Sequence, residues 1–229
     1  MNGNDAAHMT AGVGELAALI AGLEEKLGQW AESTSEWLGT AGKATGTAID
    51  KFIRPTVLGF MHEAGGLVAG AGFVAAAGLL GEDRSYIAWW QGGDMERVDA
   101  LANFSPQSMS RYTKAEWFKV PMATGQPHVT GPYIDLLCTD EYVLTFTHPI
   151  FRDGTLAGVV GMDVTAQSLE RAALATLRGI GPRAALVNAG GRSIVSAAPD
   201  VDAGDIVRPA DGALRHAVGR QFTIYSATT

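Results

Sequence analysis

The run "GVVGMDVT", residues 158 to 165, reads as a buried strand that closes on an acid. Strand alternation puts Ala157, Val159, Gly161 and Asp163 on one face, with Leu156, Gly158, Val160, Met162 and Val164 on the other. Asp163 then stands beside small residues, which leaves room over its carboxylate. In "GPYIDLLCTD", residues 131 to 140, Tyr133, Asp135 and Leu137 share a face, opposite Ile134, Leu136 and Cys138. Two carboxylates brought together in a dry cleft repel unless a proton or a cation lies between them. Trp89, Trp90, Trp117 and Phe118 precede them, and aromatic faces attract cations by about 0.5–2 kcal/mol each. Asp163, Asp135, Tyr133, Trp117, Phe118, Trp89 and Trp90 are therefore the candidate ligand-binding residues, and the chemistry they suit is retention of an amine or another cation. The structural alternative makes the acids strand-end and turn caps and the aromatics ordinary core.

A rival chemistry uses Asp135 and Asp163 as the acid and base of a small-molecule enzyme. No nucleophile motif such as G-x-S-x-G accompanies them, and Cys138 lies on the face opposite Asp135. His62, His128, His148 and His216 lack metal-ligand spacing. "GAGFVA", residues 70 to 75, matches a loose dinucleotide pattern, but no long helix and acid-ended strand follow it. The expectation is a non-enzyme with no catalytic residue, metal or cofactor.

Positioning these residues requires a sheet. Period-two patterning predicts strands over 67–76, 84–91, 128–137, 141–151 and 155–165, with a short helix near 94–102. "TAQSLERAALATL" is a helix capped by Thr165, with Leu169, Ala172, Ala173 and Leu177 on its apolar side. "AALVNAGGRSIVSA" is a hairpin turning at Gly190-Gly191, and "QFTIYSATT" is a last strand. Residues 11–38 are helical: Leu16, Leu23, Trp30 and Trp37 recur every seven residues, and Val13, Ile20, Leu27 and Thr34 interleave. That a/d seam suits either a dimerising coiled coil or a helix laid on the chain's own core. A small polar hinge at 39–48 leads to a second helix bearing Ile49, Phe52, Ile53, Val57, Phe60 and Met61 on one face, with Pro55 marking a kink or a first turn.

The chain has 229 residues, 47% of them apolar and 18% charged, enough for a sizeable core. A net charge of −7 without a basic cluster argues against nucleic acid or an anionic membrane as partner. One cysteine permits no internal disulfide, and the N-terminal stretch lacks the pattern of a secretion signal. Residues 64–80 hold 17 uncharged residues, short of the roughly 20 needed to span a bilayer. Together these predict a cytoplasmic protein.

A W-F pair at 117–118, then "TGPYID", then "YVLTFTHPIF", then "GTLAGVVGMDVT" follow one another in an order that resembles the Cache sensor domains, the PAS-like ligand-binding modules of bacterial receptors. The resemblance covers residues 66 to 170. It implies a central antiparallel sheet of about five strands, a long N-terminal helix along it, a small-molecule pocket on one sheet face, and sensing without catalysis. It also implies dimers formed through the N-terminal helix. In the amino-acid-binding branch, the residues matching Tyr133, Asp135 and Asp163 contact the ligand amine. That branch places an Arg two residues before the Trp to hold the ligand carboxylate. Here Ala115 stands there, with Lys114, Arg111 and Lys119 as the nearby cations, and Phe118 stands where Tyr is favoured.

The reading is an α+β, PAS-like chain in three parts: a heptad helix at 1–45, a ligand-binding domain at 46–178, and a hairpin with a terminal strand at 179–229 packed on the same domain. Its expected role is a non-catalytic sensor for a small metabolite, a cationic amine or amino acid. It would signal through a homodimer formed by the N-terminal helix or through a regulatory protein partner. The alternatives are a short-carboxylate sensor of the same fold, the Asp135/Asp163 enzyme, and a pure interaction module.

Overall fold

The computed structural model describes residues 3–63, 65–81, 86–98, 114–135 and 141–226. The first helix, α1 (Gly3–Thr40), is long and is followed by α2 (Gly46–Glu63). Strands β1 (Val68–Ala75), β2 (Ile87–Gln91) and β3 (Glu96–Arg97) come next, then α3 (Glu116–Thr124). After β4 (His128–Ile134), β5 (Tyr142–Arg152) and β6 (Thr155–Thr165) comes α4 (Ala166–Ile180). The chain finishes with β7 (Ala185–Asn188), β8 (Ser193–Ser196), β9 (Arg215–Val218) and β10 (Phe222–Tyr225). The main sheet runs β3-β2-β1-β6-β5-β4 and the second β8-β7-β10-β9, with every pairing antiparallel.

The five expected strands are all present, and β6, which ends on Asp163-Val164-Thr165, lies inside the sheet between β1 and β5. Where a helix was expected near 94–102, Glu96–Arg97 instead form β3 against β2, and the rest of that stretch lies outside the described residues. The sequence reading did not foresee β9. It is short, with only Val218 buried, so it carries little alternation.

The heptad residues of α1 point inward. Leu16, Ile20, Leu23, Leu27, Trp30, Thr34 and Leu38 are buried, and α1 packs on β5, β6, α4 and β9. Trp30 meets Phe60 of α2 edge-on at 5.3 Å, and Trp37 stacks on Phe52 at 4.4 Å. This corrects the expected dimer seam, because the residues that would form it are already covered by the chain's own sheet and second helix. In α2, Ile49, Ile53, Val57 and Met61 recur every four residues and are buried, while Pro55 lies within the helix on its exposed side. Thr165 caps α4 as expected: its Oγ1 accepts the Ser168 N–H at 3.0 Å, which stops β6 two residues after Asp163.

Side chains of the second sheet reach the outer edge of β4. Gln221 Oε1 accepts the Val129 N–H, Gln221 Nε2 donates to His128 Nδ1 at 3.0 Å, and Asn188 Nδ2 donates to the Gly131 carbonyl at 2.7 Å. His128 Nε2 then donates to Glu116 Oε1 at 2.9 Å, which ties β4 to the first turn of α3.

If the α1 seam serves this core, Ile20→Ala, at a position 1% exposed, lowers the unfolding free energy by about 2–5 kcal/mol. Urea titration reads this as a lower midpoint at unchanged slope.

Candidate functional site

One face of the main sheet carries α1 and α2, and α3 covers part of the other. Cross-strand pairing places Gln91, Gly70, Asp163, Thr145 and Thr130 in one row across β2, β1, β6, β5 and β4. Asp163, Thr145 and Thr130 are buried, and Gln91 is half-buried. The next row holds Trp89, Gly72, Gly161, Thr147 and His128. Thr147 is also buried, its Oγ1 donating to the His128 carbonyl at 3.1 Å. Sequence reasoning missed these threonines. Their signal was the pair Thr145 and Thr147 inside an otherwise apolar strand, on the face of the acid.

Asp163 is 5% exposed and Asp135 6%. Thr145 Oγ1 donates to Asp163 Oδ1 at 2.6 Å, and Tyr133 Oη lies 2.7 Å from Thr145 Oγ1. A threonine hydroxyl has one proton, so the tyrosine must be the donor to it. The result is a directed relay from Tyr133 through Thr145 to the carboxylate. Burial pushes the Asp163 carboxyl up to about 7; the Thr145 hydrogen bond opposes that rise and the charge of Asp135 adds to it. The two acids thus feel each other, and near neutral pH Asp163 is poised between its two protonation states.

Trp117 and Phe118 in α3 are buried against Trp89, Val74, Ile87 and Val159, with Tyr133 at the margin. Their rings meet edge to face, 6.0 Å apart at 84°. Four candidates, Tyr133, Trp117, Phe118 and Trp89, therefore gather with Asp163 and Asp135 on this face or its covering helix. Trp90 does not, and its inclusion is corrected. It alternates onto the opposite face, 3% exposed in the main core. There Arg97 lies 5.8 Å from its ring and donates to Asp50 of α2 at 3.1 Å.

Two details of the expected space beside Asp163 also change. The β5–β6 register shifts between Ile150 and Phe151, and Ala157 packs into the core on the helix side instead of alternating toward the acid. The trough left by the glycines is filled by Trp89. A Cβ on Gly72 would stand 2.7 Å from Trp89 Cε3, and one on Gly161 would stand 3.5 Å from its Cη2. Clefts of about 370 and 340 Å³ open along β4, and neither is lined by Asp163 or Asp135. Lys114 and Lys119 are exposed; Arg111, Leu137 and Cys138 lie outside the described residues. Among the described residues no group of His, Cys, Asp and Glu has the arrangement of a metal site.

Residues 82–171 match the family described as methyl-accepting chemotaxis protein-like, first PDC sensor domain. No curated protein matches the sequence. The fold is shared with solved sensor domains. The sensory domain of the Campylobacter jejuni chemoreceptor Tlp3 with isoleucine bound is similar at TM-score 0.61 and 14% identity, over 97% of this chain and 90% of that one. The ligand-binding domain of the Pseudomonas aeruginosa PAO1 amino acid chemoreceptor PctC in complex with GABA is similar at 0.60 and 14%, over 97% and 96%. The extracellular domain described for the histidine kinase mmHK1S-Z3 is similar at 0.62 and 13%, over 90% and 87%. The resemblance to Cache sensor domains and the α+β sensor fold are thereby borne out. The cytoplasmic location expected from the sequence is overturned, since the matched sensor domains include extracellular ones. Among the described residues no helix is long and apolar enough to cross a membrane.

An acid whose folded pKa exceeds its unfolded value adds stability below the unfolded pKa and loses it as pH rises to the folded one. For Asp163 that window runs from 3.8 to about 7. The full loss is on the order of 4 kcal/mol. Asp163→Asn, which keeps an acceptor for Thr145, flattens the fall in melting temperature across this range and melts higher than the parent at pH 8.

Proposed function

We propose that the chain is a non-catalytic sensor domain that binds a small metabolite through a protonated amine. The carrying observation is the buried Asp163 carboxylate, oriented by the Tyr133–Thr145 relay, crowded by Asp135 and held near the midpoint of its titration. A ligand ammonium beside it would offset both the burial cost and the repulsion, because an opposite charge favours the ionised form. Trp89, Trp117 and Phe118 pack together on the same side of the sheet, and a ring face turned toward the ligand would attract the same cation. The ligands named for the similar structures, isoleucine and GABA, each carry an amine, which supports the reading. A short-carboxylate ligand is disfavoured, since it would bring a third negative group to two acids. In the Asp135/Asp163 acid–base alternative these same two acids would do the chemistry, and turnover of a bound amine in place of saturable binding would favour it.

In this reading residues 46–178 hold the ligand, residues 1–45 carry the signal, and residues 179–229 form an appended sheet. Thr145 and Asp163 lie on β5 and β6, and α1 lies on the far side of those two strands. A ligand that prefers one position of β6 against β5 would therefore bias α1. The output is a second copy of the chain or a regulatory protein that reads the outward side of α1.

Thermal-shift titration with amines, amino acids and short carboxylates tests this. An amine at about a hundred times its dissociation constant stabilises the fold by ~2.7 kcal/mol, and Asp163→Asn or Asp135→Asn removes the shift. A response confined to short carboxylates and retained in Asp163→Asn overturns the reading. A protonated Asp163 must also lose its proton to hold an ammonium. Calorimetry at pH 7 in buffers of different ionisation enthalpy therefore shows proton release, and affinity weakens up to tenfold per pH unit below the Asp163 pKa.

A further inference from the structure

Trp89 carries a buried donor that no described residue engages. The residue is 7% exposed, and its indole Nε1 has no acceptor among the described residues. The ring is fixed over the glycine trough. Its Nε1 lies 2.9 Å from where a Cβ on Gly70 would stand, and Cε3 and Cη2 lie over Gly72 and Gly161. Gly70 is the direct cross-strand neighbour of Asp163. The orphaned N–H thus sits on the acid's own face, one strand away, at a normal spacing of about 4.8 Å. Buried indole N–H groups ordinarily find a partner.

We propose that Trp89 is the second anchor of the site, donating its N–H to a neutral acceptor on the ligand. This rests on the amine reading above and narrows it to amines that carry a hydroxyl, ether or amide oxygen a short spacer from the nitrogen. The ammonium meets Asp163 and Asp135, and the oxygen meets Trp89. One strand spacing separates the two anchors, which suits a spacer of two or three carbons. The donor is a single uncharged N–H, which matches a neutral oxygen better than a carboxylate. Among the described residues, Ala115 supplies no guanidinium, Lys114 and Lys119 are exposed, and Arg97 is engaged on the opposite face. A site with a buried donor rejects an analogue lacking the acceptor, because binding that analogue leaves the donor unpaired.

The test compares 2-aminoethanol with n-propylamine, equal in heavy atoms and differing by a hydroxyl for a methyl, and glycinamide with glycine. Calorimetry on the whole chain shows the acceptor-bearing amine of the first pair bound roughly tenfold more tightly, and glycinamide more tightly than glycine. In Trp89→Phe the first ratio collapses toward one. In the unsubstituted protein, the Trp89 indole N–H proton resonance, assigned by its loss in Trp89→Phe, moves downfield with 2-aminoethanol and not with n-propylamine. Equal binding of both amines, an unchanged ratio in Trp89→Phe, or an indole resonance that ignores 2-aminoethanol overturns this proposal alone. Failure of every amine to bind overturns it together with the amine reading.

Discussion

The ionisation of Asp163 constrains everything around it. A carboxylate in the interior of a sheet costs several kcal/mol unless hydrogen bonds or a counter-charge answer it. Here one hydrogen bond answers directly, from Thr145, and that threonine is itself held by Tyr133. The residues across the flanking strand on the same face are glycine at 70 and 72. They have no side chains to shield the acid, and in exchange they let an indole lie flat on the sheet. The burial of the row, the placement of Trp89 and the raised carboxyl pKa are three views of one arrangement.

Much of this was legible from residue order, and the parts that were not share a cause. Strand alternation correctly separated Asp163 and Gly161 from Met162 and Val164, because β6 is regular over that span. It failed at Ala157, where the register shift changes which face a residue takes. Trp89 and Trp90 are adjacent, so a strand must send them to opposite faces, and composition alone had grouped them. The heptad in α1 gave the helix and its buried stripe but not what buries it. A period of 3.5 residues fits a second helix, and a sheet with α2 beside it accepts the same stripe. The threonines were visible as residue types, but their role depends on which strand lies next to β6. That pairing comes from topology, which one sequence does not carry.

Location was misread for a different reason. Acidic charge and a lone cysteine describe a chain's chemistry, and a sensor domain on either side of a membrane can share that chemistry. The expectation gave way because the sensor domains that share this fold include extracellular ones.

The Gln221 and Asn188 contacts have a consequence for autonomy. A terminal strand of an open sheet offers unpaired amides and carbonyls to any extended chain that drifts by, and β4 is such a strand. Its Val129 amide and Gly131 carbonyl are instead occupied by side chains that arrive from the last fifty residues. A fragment cut before residue 179 would keep the buried acids yet expose a sticky margin inviting oligomeric β-stacking. The small C-terminal sheet thus blunts a margin of the larger one.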